Sequence, residues 1–201
     1  MYVPNIMKLE LFNPKSRDIK GRFKFVSVAN LIYRKRIDLV VKAFNLLRKN
    51  IDDVELVIIG DGKERNRIEE LIVDYSLENC VSMLGAMDRE KISTLLPEFD
   101  AFVLPSQAET FGIVYVEALA SGLPVIATKC GGPETFIKDS NGILTEVDDL
   151  NGLVESMTQL IINYSEYNKI LISKNIKDEF SPKKVANNIK QVYFNLIKTS
   201  S

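Results

Sequence analysis

The chain has 201 residues, 46% of them hydrophobic and 26% charged, with a formal net charge of -1. That describes an ordinary soluble globular chain, long enough to bury roughly 70% of its unfolded surface, and one domain suffices. Near-neutral charge excludes a non-specific grip on nucleic acid, which shows as a strong basic excess. No histidine occurs, which removes Ser–His, Cys–His and His-ligated metal chemistry from this chain.

Cys80 and Cys130 stand far apart in no CxxC pattern, so neither a disulfide framework nor a zinc site is expected, and a reducing compartment fits. No apolar run reaches the ~18 residues of a membrane span, and the N-terminus lacks a secretory apolar region. The sequence reads as cytosolic, or as residing at the inner membrane surface without crossing it.

The first 20 residues, with Pro4, Asn13 and Pro14, read as an irregular lead-in. From residue 23 short apolar runs alternate with helix-period stretches. The strand candidates are Phe23 to Ala29, Val54 to Ile59, Val81 to Leu84, Phe99 to Leu104, Pro124 to Thr128 and a weaker one near Ile143. They are continuously apolar, as strands buried on both faces are. Between them lie amphipathic segments: Ile37, Val40, Val41, Phe44 and Leu47 share one face, and Ile68, Leu71, Ile72 and Tyr75 another. Gly60-Asp61-Gly62, Gly122-Leu-Pro124, Gly131-Gly132-Pro133 and Asn141-Gly142 punctuate them. Strict alternation predicts an α/β fold with a doubly wound parallel sheet, spanning 21–180. Residues 181–201 end in a predicted helix from Pro182 to Ile197, with Val185, Ile189, Val192, Tyr193 and Leu196 on one face.

Ligands of such sheets sit beyond the C-terminal ends of the strands, so the loops after Ala29, Ile59, Leu84, Leu104 and Thr128 are the informative ones. The sharpest runs from Pro105 to Gly122. A helix is expected from near Gly112 to Gly122, apolar all round and therefore buried, with one carboxylate, Glu117, in its middle. A buried Glu needs a partner, because stranding its charge costs several kcal/mol. It either binds something or pairs with a structural Arg. Glu109 sits at the loop-to-helix junction, where a carboxylate favours the helix N-terminus by ~0.3–1 kcal/mol. The amides of Phe111, Gly112 and Ile113 make that end an anion site suited to phosphate.

A second constellation is Asn30-Leu-Ile-Tyr-Arg34-Lys35-Arg36. Three cations beside a helix N-terminus oppose its macrodipole. Either a bound diphosphate reverses the sign of that choice, or the cluster is a solvated loop. Gly60-Asp61-Gly62 resembles the opening of a dinucleotide fingerprint, but Arg65 occupies the third glycine position, and no GxxxxGK[ST] exists. A nicotinamide dehydrogenase and a P-loop protein are thereby rejected.

Together these residues resemble the C-terminal domain of the retaining family 4 glycosyltransferases, which have the GT-B fold. Glu109-x7-Glu117, inside the run from Ser106 to Ala127, matches that family's signature almost word for word. Pro4-Asn5 with Phe12-Asn-Pro14 resembles the inter-domain junction, so 1–20 is expected to be the lead-in from another domain. Val28-Ala-Asn-Leu31 with Lys35, Val57-Ile-Ile-Gly60, Val81-Ser-Met-Leu-Gly85, Val103-Leu-Pro-Ser106 and Gly131-Gly132-Pro-Glu134 occur in the family's order.

The resemblance implies sugar transfer from a nucleoside diphosphate with retention, in polysaccharide or glycoconjugate synthesis. No cofactor is implied, and no metal: no DxD-like site is visible. Glu109 would lie against the donor sugar near the transferring centre. Thr110, Phe111, Gly112 and Ile113 would face sugar and phosphates, with backbone amides from the last three. Glu117 would accept from both ribose hydroxyls, Lys35 would neutralise the diphosphate, and the loop after Gly85 would touch the base through its backbone, with Gly85 itself counted among the donor-binding residues. Three departures stand out. Asn30 replaces a usual Arg at a phosphate contact, which Arg34 or Arg36 would have to supply. Arg36 stands where Gly is usual, and Ile6 where the junction often has Gly.

The implied partners are a nucleotide-sugar donor and an N-terminal acceptor domain, in cis or from another chain, with no nucleic acid. Both chain ends would then expose apolar surface and await that domain. Two other readings stay open: a non-catalytic nucleotide-sugar-binding module, and a same-fold nucleotide-sugar epimerase.

Overall fold

The computed structural model describes Met7 and residues 9–15, 21–187 and 189–190. These residues form a six-stranded parallel sheet in the order β3-β2-β1-β4-β5-β6. The strands are β1 (Phe23–Val28), β2 (Val54–Ile59), β3 (Val81–Met83), β4 (Ala101–Leu104), β5 (Val125–Thr128) and β6 (Gly142–Thr145). Five coincide with sequence expectations to within two residues at each end, and β6 lies where a strand near Ile143 is expected. β1, β4 and β5 carry almost unbroken buried runs, because helices cover both faces of the sheet.

The helices are α1 (Ile37–Leu47), α2 (Arg65–Asp74), α3 (Arg89–Leu95), α4 (Ile113–Ala120), α5 (Leu150–Ile162) and α6 (Lys169–Glu179). α3, α5 and α6 lie outside the sequence expectations. Each of them is opened by a side-chain cap, in which Asp88, Asp149 and Asn168 accept from the amides of Lys91, Gly152 and Leu171. Past α6 the chain is again helical over 182–187 and at 189–190. Val185 is buried on this domain and Ile189 is exposed. Val192, Tyr193 and Leu196 lie outside the described residues, as do Pro4, Asn5 and Ile6.

The lead-in departs from expectation. Met7, Leu9 and Phe12 are buried within this domain rather than left bare, while Leu11 is exposed. Asn13 secures the segment by accepting from Lys177 of α6 at 2.9 Å. Burying a ring such as Phe12 is worth roughly 1.5–3 kcal/mol, enough to hold a short segment without regular structure.

β1 and β4 are neighbours, and their crossovers run to opposite sides of the sheet. That is the switch point at which doubly wound sheets open a crevice. The loops after β1 and β4 diverge there, and they are the two that carry the charged residues singled out by sequence.

Candidate functional site

A cavity of about 680 Å³ occupies that crevice. Its walls include Asn30 and Lys35 after β1, Gly60 and Asp61 after β2, Ala86 and Met87 after β3, and 109–114 with Glu117 on the β4–α4 side. Gly60 belongs to the floor for a steric reason: a Cβ there would lie 1.8 Å from the Ala29 carbonyl oxygen. The loops after β1 and β2 approach too closely for any side chain.

Glu109 is held from two directions. Its Oε1 accepts from Lys35 Nζ at 2.5 Å and from Ser106 Oγ at 2.8 Å. Both side chains of the ion pair are largely buried, 19% and 10% exposed, so the pair is less screened than a surface bridge. The backbone of Glu109 is fixed as well, since its N–H donates to Cys130 and its carbonyl accepts from Gly132. The loop after β5 therefore clamps the loop after β4.

α4 begins at Ile113, preceded by Gly112 in the left-handed region at φ 87°. Glycine adopts that conformation without penalty. It turns the chain into the first turn of the helix, whose leading amides have no intrahelical partner and whose residues line the cavity. Phe111 lines the cavity, and its ring packs against Phe136 and Phe180 with centroids 5.6 and 5.4 Å away. The helix is not buried all round, as its sequence suggested. Tyr115 to Ala120 are buried, but Ile113 is 51% exposed at the rim. A helix whose first turn lines a cleft presents apolar side chains to it.

Glu117 lies deeper on α4 and is 7% exposed. Burial raises its carboxyl above the ordinary range, and the bond and charge of Arg89 offset part of that. Arg89 Nε donates to Glu117 Oε1 at 2.6 Å. The sequence leaves a structural Arg open as the partner of this lone charge but does not identify Arg89, which heads a helix too short to register as a period.

The cation cluster divides. Lys35 lines the cavity, whereas neither Arg34 nor Arg36 does. Arg36 adopts φ 53°, which explains why glycine suits this position. Its guanidinium is turned to Asp38 at 3.0 Å and to Asp148, and lies over the Tyr33 ring. The expected clash with the α1 dipole is answered by Asp38 in the first turn. Burial pushes the Asp38 carboxyl up, but the bonds and charges of Arg36 and Lys42 outweigh it and hold it below the usual carboxylate range.

Gly85 itself does not line the cavity, whereas Ala86 and Met87, in the loop after it, do. Its conformation is left-handed, φ 75°, and its carbonyl accepts from the Gly60 N–H at 2.8 Å. Gly85 turns the chain and ties β3 to β2, and the two residues after it build the wall. Asn30, Lys35, Glu109, Thr110, Phe111, Gly112, Ile113 and Glu117 all reach the one cavity. Among the described residues no helix is long and apolar enough to cross a membrane.

Comparison with known proteins agrees with this geometry. Residues 10–178 match the family model for glycosyl transferases group 1. N-acetyl-alpha-D-glucosaminyl L-malate synthase of Bacillus anthracis is 29% identical over 176 residues, 86% of this chain and 45% of the relative. A phosphatidylinositol N-acetylglucosaminyltransferase subunit of Arabidopsis thaliana is 28% identical, covering 99% and 44%. The chain thus spans about half the length of these curated relatives. Among solved structures, a TarM variant from S. aureus, in complex with fondaparinux, alpha-GlcNAc-glycerol and UDP, superposes with a TM-score of 0.83 at 26% identity, covering 96% of this chain and 39% of that one. A doubly wound sheet, a charged crevice at its switch point and these matches have one reading in common: the chain belongs to the group 1 glycosyltransferases and has the Rossmann-like fold of their C-terminal GT-B domain.

Proposed function

We propose that this domain binds the nucleotide-sugar donor of a retaining, family 4 type glycosyltransferase and holds it for transfer to an acceptor. The observation that carries the reading is the meeting of Lys35, Glu109, the first turn of α4 and Glu117 in one cavity. A diphosphate at the α4 N-terminus would gain its amides and dipole and would draw Lys35 away from Glu109. Glu109, released from its cation but still held by Ser106, would then face the sugar. Cation and amides would stabilise the departing diphosphate as the bond to the anomeric carbon breaks.

Glu117 would accept from the ribose hydroxyls, and the walls at Ala86 and Met87 would flank the base. The reading requires no cofactor and no metal. It does require an acceptor domain, in the same polypeptide or on a partner chain, because transfer needs both substrates in one geometry, a contribution of ~7–11 kcal/mol. The names of the relatives make UDP and UDP-N-acetylglucosamine the first ligands to try. The phosphatidylinositol in the Arabidopsis relative's name is compatible with work at a cytoplasmic membrane face.

Calorimetry with UDP, GDP, ADP and their sugars tests the reading. A nucleoside diphosphate should bind weakly, in chelator as well as without it. Sugar transfer should appear only when an acceptor domain is supplied. Robust acceptor-dependent transfer by the purified 201-residue chain, or no nucleotide binding at all, would overturn it.

A further inference from the structure

Arg89 is the first residue of α3 and does not line the cavity. Its Nε is bonded to one oxygen of Glu117 at 2.6 Å. The other oxygen, Oε2, accepts no bond from a described residue, and Glu117 is part of the cavity wall. The guanidinium of Arg89 also lies over the ring of Phe12, 5.2 Å from its centroid. Phe12 is fully buried and belongs to the lead-in segment that packs on this domain.

We propose that Arg89 is a positioning residue for the nucleotide, anchoring one oxygen of Glu117 so that the carboxylate presents the other to the donor, and tying that carboxylate to the lead-in through Phe12. The inference rests on the ribose reading of Glu117. Two hydroxyls that both donate need an ionised carboxylate, because a protonated one spends an oxygen as a donor. Burial disfavours the ionised form here and Arg89 favours it. Burial and Arg89 are what shift the Glu117 carboxyl. Across the cavity stand Lys35, Asp61 and Glu109, with Lys35 and Glu109 engaged to each other. On α6, which packs on α4, Lys177 is taken by Asn13. Glu90 and Lys91 of α3 are exposed, and α4 has no other charge. Among the described residues only Arg89 bonds to the Glu117 carboxylate.

The test is UDP affinity by calorimetry between about pH 6 and about pH 8.5 for the wild type, Arg89→Met, Arg89→Gln and Glu117→Gln. Arg89→Met keeps an apolar stem over Phe12 and removes the charge. It should weaken UDP about 10-fold at the acid end, the scale of one charge-assisted bond. The deficit should shrink as the pH rises and the carboxylate ionises unaided. Arg89→Gln, also neutral, should show the same trend and serves if the Met variant does not fold. In a Glu117→Gln background neither substitution should add a pH-dependent loss.

A general structural role would instead weaken binding equally at every pH. Tighter binding by Arg89→Met would make Arg89 a plug. Either result, or unchanged affinity, overturns the inference. If Glu117→Gln itself leaves UDP affinity intact, the ribose reading fails and takes this one with it. If only the Arg89 variants are silent, the ribose reading stands alone.

Discussion

The two carboxylates of the Glu109–Glu117 segment share a cavity but are held in different ways. Glu109 takes two donors from two loops, Lys35 after β1 and Ser106 after β4. Among the described residues Glu117 takes one, from Arg89 on α3, and sits on a helix that is apolar around it. The first is a polar contact assembled where strands diverge, and it can exchange partners as a ligand arrives. The second is a single charge carried by packing, and its orientation depends on one guanidinium. The part of the site nearest the proposed chemistry is thus doubly held, while the part proposed to grip the nucleotide is singly held among the described residues.

That contrast can be broken experimentally. The largest effect is expected from Glu109→Gln in an enzyme completed by its acceptor domain. Transfer should fall about 100-fold or more, the scale seen when one preorganised polar group is lost from a transition state, while UDP affinity changes far less. Comparable losses in rate and affinity would make Glu109 a binding group like Glu117. Next in size, Lys35→Ala should weaken UDP by roughly 10- to 100-fold and leave uridine within about twofold, because its proposed partner is phosphate. Equal losses for both ligands would return the cation to a purely structural pair. Glu117→Gln should fall in the same ~10- to 100-fold range but act on uridine and UDP alike. A loss confined to UDP would move Glu117 from ribose to phosphate.

How much of the molecule is legible in sequence depends on how far apart the partners lie. The stretch from Ser106 to Gly122 can be read because strand end, loop, helix start and both carboxylates are contiguous. The six strands can be read because buried parallel strands are continuously apolar. The Lys35–Glu109 pair joins loops 74 residues apart, and no local pattern specifies which of three adjacent cations turns inward. That is decided by the left-handed Arg36 and by Asp38 and Asp148, which draw its guanidinium away. Sequence puts Gly85 at the cavity because its loop is there, yet the turn it enables sends its neighbours to the wall. α5 carries both an N-cap, Asp149, and a helical spacing at Leu153, Met157 and Leu160, signals as good as those of α1. α3, at seven residues, is too short for its period to be seen.

The smallest effect is expected in stability, and its sign separates the two carboxylates most sharply. The carboxyl of Glu117 is raised above the ordinary 4.5 of a glutamate because burial outweighs its bond to Arg89. A group whose folded value exceeds its unfolded one favours the fold below the unfolded value and loses that contribution as the pH rises through the folded one. On that sign the charged Glu117 opposes the fold at neutral pH. Glu117→Gln resembles the protonated form. In the absence of ligand it should unfold at an equal or slightly higher temperature than the wild type near pH 8, and the difference should vanish near pH 4. Thermal unfolding at the two pH values measures this directly. A clear fall in Tm near pH 8 would mean that the Arg89 pair supports the fold more than burial opposes it. Paired with the expected loss of UDP affinity, a neutral or positive shift would identify Glu117 as a residue whose charge serves the ligand at the expense of the fold.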